Sequence, residues 1–134
     1  YPELLKEIAN DGHEIACHYH YHNLMFKESN DEINSNLELA KTAIFKACGE
    51  EPKGFRAPVF SIPRHRVDIF EVIEKHFLYD SSYVLYLNKY TKEQYLKNSP
   101  FTLNKLTEFP IVPNAISEPL FVNFSVFFKS LFSL

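Results

Sequence analysis

Tryptophan is absent from this sequence, and glycine occurs only 3 times in 134 residues. So little glycine argues against a collagen-like or linker-rich chain, and the missing tryptophan against an antibody-like domain. Two cysteines, Cys17 and Cys48, are too few for a disulfide framework. They are expected to be unpaired and largely buried, because no loop requires a staple. Neither sign of charge dominates: 14 Lys and Arg stand against 17 Asp and Glu, a formal charge of −3. With no basic footprint, no nucleic-acid partner is expected. No apolar run reaches the ~20 residues of a membrane-spanning helix. The stretch from Pro119 to Leu134 comes nearest, but it carries Asn123 and Lys129. It reads as a buried strand and helix, with a membrane-surface segment or truncated anchor as the alternative.

What is present is globular in composition, with 46% apolar and 23% charged residues. The 13 Phe and 8 Tyr point to a large buried interior. The length suits one domain with a core and is too short for two ordinary ones. The chain opens on Tyr1-Pro2 rather than Met, so a piece of something longer is expected, and the lack of a readable targeting signal then says nothing about location.

Leu4, Leu5 and Ile8 lie on one helical face, which Asn10-Asp11-Gly12 ends. Ser29 and Glu32 have the spacing of a capping box, and Ile33, Leu37, Ala40, Ile44 and Ala47 continue a helical stripe closed by Gly49. Pro63 suits the first turn of a further helix carrying Val67, Phe70, Ile73 and Phe77. Short strands are expected at Glu14 to His18, Lys53 to Ala57, Leu78 to Ser81 and Leu106 to Val112, with a loop and short helix from Asn88 to Ser99. Strands alternating with amphipathic helices predict an α/β fold with a parallel sheet or barrel. Four strands would complete an open sheet but make only half of an eight-stranded barrel.

The densest chemical signal is Cys17-His18-Tyr19-His20-Tyr21-His22, directly after a strand. Imidazole is a common metal ligand. If the strand gives way to a helical turn, His18 and His22 face one way. If the strand continues, His18, His20 and His22 share a face. A surface cluster with no selected role is the plain alternative. Arg56, in Gly54-Phe55-Arg56-Ala57-Pro58, offers a planar fork suited to a carboxylate, although alone it would read as a surface arginine. Asp80, in Tyr79-Asp80-Ser81-Ser82, alone would read as a helix cap or turn residue. Position raises all of them, since each follows an expected strand at the end where α/β folds build active sites.

Gly12-His13-Glu14-Ile15-Ala16-Cys17-His18, with His22 four residues on, resembles the His-x-x-x-His metal motif of the polysaccharide deacetylases. These are the NodB-homology or carbohydrate esterase family 4 enzymes. Gly54 to Pro58 is similar to the family's Arg-x-Pro motif, and Tyr79 to Ser82 to its aspartate motif. Phe60-Ser61 after the proline, and Glu108-Phe109-Pro110, resemble the branch associated with exopolysaccharide biosynthesis. The resemblance runs from about Tyr1 to Val112, with the three motifs in the family's order.

It implies a partial distorted (β/α) barrel, with residues 1–134 as a single truncated NodB-homology domain. The implied activity is removal of N-acetyl groups from amino sugars, with a polysaccharide or oligosaccharide as partner and a divalent metal, foremost Zn2+, as cofactor. By resemblance His18 and His22 are metal ligands, Arg56 orients a carboxylate base, and Asp80 holds the imidazole that acts as general acid. An acetamide is a poor electrophile, which is why metal polarisation and acid–base groups are needed.

Several residues depart from the family pattern. No Asp-Asp pair occurs, although the family takes its base and third metal ligand from one, and Asp11 sits at a helix end. His76 is the last histidine, whereas the acid histidine should come later. Tyr19 and His20 replace a small residue and a tyrosine, and Cys17 a residue that is usually Ser or Asn. Truncation at both ends is the simplest account, and the 134 residues alone are then expected to be inactive. The alternatives are a catalytically inactive carbohydrate-binding homologue of the same fold, or another metal-dependent amidohydrolase or esterase on a similar barrel.

Overall fold

A computed structural model describes residues 1–63, 65–84 and 100–111. Pro2, whose missing N–H is harmless in a first turn, opens α1 (Pro2–Asn10), and Gly12 at φ 86° turns the chain away after it. In α2 (Asn30–Cys48) the capping box forms as the spacing predicts. The Glu32 N–H donates to Ser29 Oγ at 3.3 Å, and the Ser29 N–H donates to Glu32 Oε2 at 2.8 Å. Gly49 closes the helix in the left-handed conformation at φ 81°. Ile33, Leu37 and Ala40 are buried, with Ile44 packed against the same core.

The third helix begins later than Pro63 suggests. α3 spans Asp68–Ile73, and Arg66 closes a turn by donating its N–H to the Pro63 carbonyl at 2.9 Å. The Arg66 side chain ties this turn to Asp68, to Asn30 and to the Glu28 carbonyl, so residues ahead of Asp68 brace against α2 instead of starting a helix. Val67 is consequently exposed, whereas Phe70, Ile73 and Phe77 are buried.

The expected strands sit where the sequence places them but are short. β1 (Gly54–Phe55), β2 (Tyr79–Asp80) and β4 (Leu106–Glu108) run parallel, and β3 (Phe101–Leu103) pairs antiparallel with β4. The order among the described residues is β1-β2-β4-β3. β3 is a hairpin partner that the sequence reading lacks; Asn104, at φ 53°, makes its turn. The strand expected from Glu14 to His18 reduces to one parallel bridge between Cys17 and Phe55. The segment expected at Asn88 to Ser99 and the apolar stretch from Pro119 lie outside the described residues, in which no helix is long and apolar enough to cross a membrane.

The core lies between the sheet and helices α2 and α3, where the Phe55 and Phe77 rings stack at 5.3 Å. Both cysteines are free, Cys17 fully buried and Cys48 partly so. Burial pushes the Cys17 thiol up to about 11, which suits a packing residue rather than a nucleophile.

Gly54 is required by close approach. A Cβ there would overlap the ring of Tyr79, which is held by a 2.7 Å hydrogen bond from its hydroxyl to Glu14 and by edge-on packing against Phe109. Gly54→Ala should therefore destabilise the chain by ~1–3 kcal/mol, as overpacking does, read as a lower urea midpoint with unchanged slope.

Candidate active site

The parallel bridge sets the geometry. Cys17 donates its N–H to the Gly54 carbonyl at 2.9 Å, and Arg56 donates its N–H to the Cys17 carbonyl at 3.0 Å. Side chains then alternate, with Cys17 and Tyr19 buried and His18 exposed. Beyond the bridge the backbone follows neither of the two geometries open in the sequence. It makes an irregular turn, with Tyr19 at φ 72° and His22 at φ 56°. This turn brings the His18 and His22 rings edge to face with centroids 5.1 Å apart. The His20 ring lies against Tyr21 instead, at 4.4 Å.

His18 Nδ1 lies 2.8 Å from the Arg56 carbonyl oxygen. A carbonyl only accepts, so Nδ1 carries the proton and the lone pair of the neutral ring belongs to Nε2. Desolvation lowers the His18 pKa, and the charges of His22 and Arg56 push the same way, against the hydrogen bond to the carbonyl. A neutral imidazole with its tautomer fixed by a backbone carbonyl is the form that ligates metals.

Tyr19 anchors the turn from inside. Its hydroxyl donates to Glu28, which also accepts from Asn23 Nδ2 at 2.8 Å and Asn36 Nδ2 at 3.3 Å. Burial, and then the Glu28 carboxylate, push the Tyr19 hydroxyl pKa upward, so it remains a donor.

Arg56 and Asp80 meet through the serines that follow β2. Arg56 Nε donates to the Ser81 carbonyl at 3.1 Å and Nη2 to Ser81 Oγ at 2.8 Å. Asp80, opposite Phe55 in the sheet register, is 0% exposed. It accepts from the Ser82 N–H at 2.8 Å and from Ser82 Oγ at 2.7 Å. The Ser82 hydroxyl in turn accepts from the Ala57 N–H at 2.8 Å. Glu108, equally buried, lies opposite Asp80 on β4 and accepts from the Tyr83 N–H at 3.1 Å. Desolvation lowers the Arg56 pKa, while Asp80 and Glu108 act to raise it.

The structure thus brings His18 and His22 together, links His18 to the Arg56 backbone, and links the Arg56 side chain to the loop after Asp80. Sequence reading missed Ser81, Ser82 and Tyr19 as parts of this arrangement. No local signal singles out Ser81 and Ser82, since serines after a strand-end aspartate also read as ordinary turn residues. His76, the last histidine, bonds Asn34 at 2.8 Å and does not serve Asp80. Two clefts elsewhere, of about 310 and 480 Å3, are lined by α2 with α3 and by α2 with Glu51 and His76, and include none of these side chains. Among the described residues no set of three or more His, Cys, Asp and Glu is arranged to hold a metal. The donors present, two imidazoles, fit two of the three or four positions zinc takes.

The sequence model of the polysaccharide deacetylases matches residues 1–75. This chain belongs to the polysaccharide deacetylase family. Over 104 residues it is 30% identical to a peptidoglycan deacetylase-like protein of Gibberella zeae, covering 78% of this chain and 29% of that protein. A candidate polysaccharide deacetylase from Mycobacterium smegmatis superposes with a TM-score of 0.65 at 26% identity, over 91% of this chain and 42% of the other. A family 4 carbohydrate esterase from Streptomyces lividans, in complex with acetate, is similar in fold, with a TM-score of 0.52 at 20% identity over 81% of this chain and 57% of the other. The fold is therefore α/β, a partial distorted barrel of the NodB-homology kind, in the polysaccharide deacetylase family. This family member spans less than a third of its curated fungal relative.

Ser82→Ala removes a donor to the buried Asp80 and an acceptor for the Ala57 N–H together. Leaving such groups unsatisfied should destabilise the chain by ~1–3 kcal/mol, measured by urea denaturation at neutral pH.

Proposed function

We propose that this polysaccharide deacetylase segment contributes to divalent-metal-dependent hydrolysis of N-acetyl groups from amino sugars of a polysaccharide. The observation that carries the reading is the His18–His22 pair, with rings 5.1 Å apart and His18 Nδ1 fixed on the Arg56 carbonyl. In this reading His18 and His22 hold the metal. A divalent ion, foremost zinc, would supply Lewis-acid polarisation of the acetamide carbonyl and a lowered pKa for water. Arg56, its fork fixed on Ser81, orients the carboxylate that removes the proton from the attacking water. Asp80 favours the charged form of the imidazole that protonates the departing amine. The amide C–N bond breaks, the amine takes that proton, and acetate leaves with the oxygen of water.

The absence of an Asp-Asp pair from the 134 residues favours a second reading, a carbohydrate-binding homologue that does not turn over. Acetate release from N-acetylated chitooligosaccharide separates the two. With the full gene product we expect zinc-dependent release that His18→Ala or His22→Ala abolishes. The 134-residue chain alone should release none at a useful rate. By calorimetry it should bind zinc weakly, and either substitution should remove that binding. Release that survives both substitutions would exclude the metal reading, and no release from the full product would favour the binding homologue.

A further inference from the structure

Two fully buried carboxyl groups, Asp80 and Glu108, occupy facing positions on adjacent parallel strands. The parallel register places both side chains on the same face of the sheet. Asp80 has both oxygens satisfied by Ser82. Glu108 has one oxygen on the Tyr83 N–H, while its Oε2 is buried with no donor among the described residues. Two ionised carboxylates cannot satisfy one another, since each only accepts. A proton on Glu108 Oε2 removes the conflict, because the acid O–H then donates to Asp80.

We propose that Glu108 is a positioning residue, a neutral carboxylic acid at physiological pH that shares one proton with Asp80 and so leaves a single negative charge behind Arg56. The orphaned oxygen assigns the proton to Glu108, since Asp80 already has donors suited to an ionised carboxylate. Desolvation and the neighbouring Asp80 push the Glu108 pKa up to about 9, from an ordinary 4.5. Desolvation raises Asp80 too, although the Glu108 and Ser82 hydrogen bonds oppose it. Among the described residues the charged group acting on the pair is Arg56, after β1; Tyr79, one position before Asp80 on β2, lies on the other face, where its hydroxyl donates to Glu14. β3 brings Phe101 opposite Glu108. A second ionised carboxylate here would oppose one guanidinium with two buried charges and leave Asp80 without its third donor.

The inference rests on the deacetylase reading only for the role of Arg56. Its test needs neither substrate nor metal, so the two can fail separately. In this chain labelled with 13C at the side-chain carboxyls, the Glu108 carbon should hold its protonated shift through pH 7 and titrate well above the other glutamates. Glu108→Gln, whose amide can donate in place of the acid, should fold and leave the Asp80 titration at or slightly above that of the parent chain, because the amide is the weaker donor. Stability carries a sign as well. The folded chain keeps a proton that the unfolded chain loses near 4.5, so the contribution is complete below that pH and is lost as pH rises through about 9. The urea midpoint of the parent chain should fall across this window, and that of Glu108→Gln should fall less. An infrared band of a protonated carboxyl at pH 7, lost in Glu108→Gln, gives a second readout in the parent chain. Titration of Glu108 with the ordinary glutamates, or no such band, would overturn the proposal.

Discussion

A carboxylate removed from water at the end of β2 is the constraint to which the neighbouring strand ends conform. Asp80 is stable there only with donors around it, because an unpaired buried charge costs several kcal/mol. Ser82 provides two, from its N–H and its hydroxyl. The same hydroxyl accepts from Ala57, so satisfying Asp80 also fixes the chain after β1. Ser81 works in parallel: it accepts from Arg56 through both carbonyl and hydroxyl, and its hydroxyl donates to the Phe109 carbonyl at 2.8 Å. Two consecutive serines thereby join the ends of β1, β2 and β4. Strands two or three residues long offer few ladder bonds of their own, and these side-chain bonds complete the parallel edge where the site is built.

The arginine depends on the same network. Its guanidinium loses hydration at the strand end, and the negative charge held by the Asp80–Glu108 pair offsets that loss. Both Arg56 hydrogen bonds to Ser81 use the directed donors of a guanidinium fork, which a lysine ammonium would not reproduce. On the other side of the strand the Arg56 carbonyl fixes the tautomer of His18. One residue therefore connects the histidine pair, through its backbone, with the buried acids, through its side chain. That connection gives the three sequence motifs a common physical basis.

How much of this was legible follows from which signals are local. The capping box of Ser29 and Glu32 and the left-handed Gly49 are encoded within a few residues, and α2 forms between them as read. Strand positions were also legible, but not their lengths: Glu14 to His18 holds a single bridge because only Cys17 is buried there beside Phe55. The α3 start was misplaced because Arg66 bonds to residues on and before α2, a contact that no periodicity shows. That Arg56 and Asp80 share a strand end could be read from topology. Ser81 and Ser82 could not be ranked above ordinary turn residues, because their importance comes from the burial of Asp80 and Glu108.

The choice among His18, His20 and His22 was open for a related reason. A left-handed backbone is normally announced by Gly or Asn, and here it falls on Tyr19 and His22. Such conformations cost of order 1–3 kcal/mol each and persist only where the surroundings impose them. The surroundings in this case are not in the turn. Tyr19 is buried edge-on to Phe55 at 6.3 Å, and its hydroxyl is held by Glu28, which Asn36 of α2 also engages. The histidine pair is thus shaped from behind, by a tyrosine fastened near the start of α2.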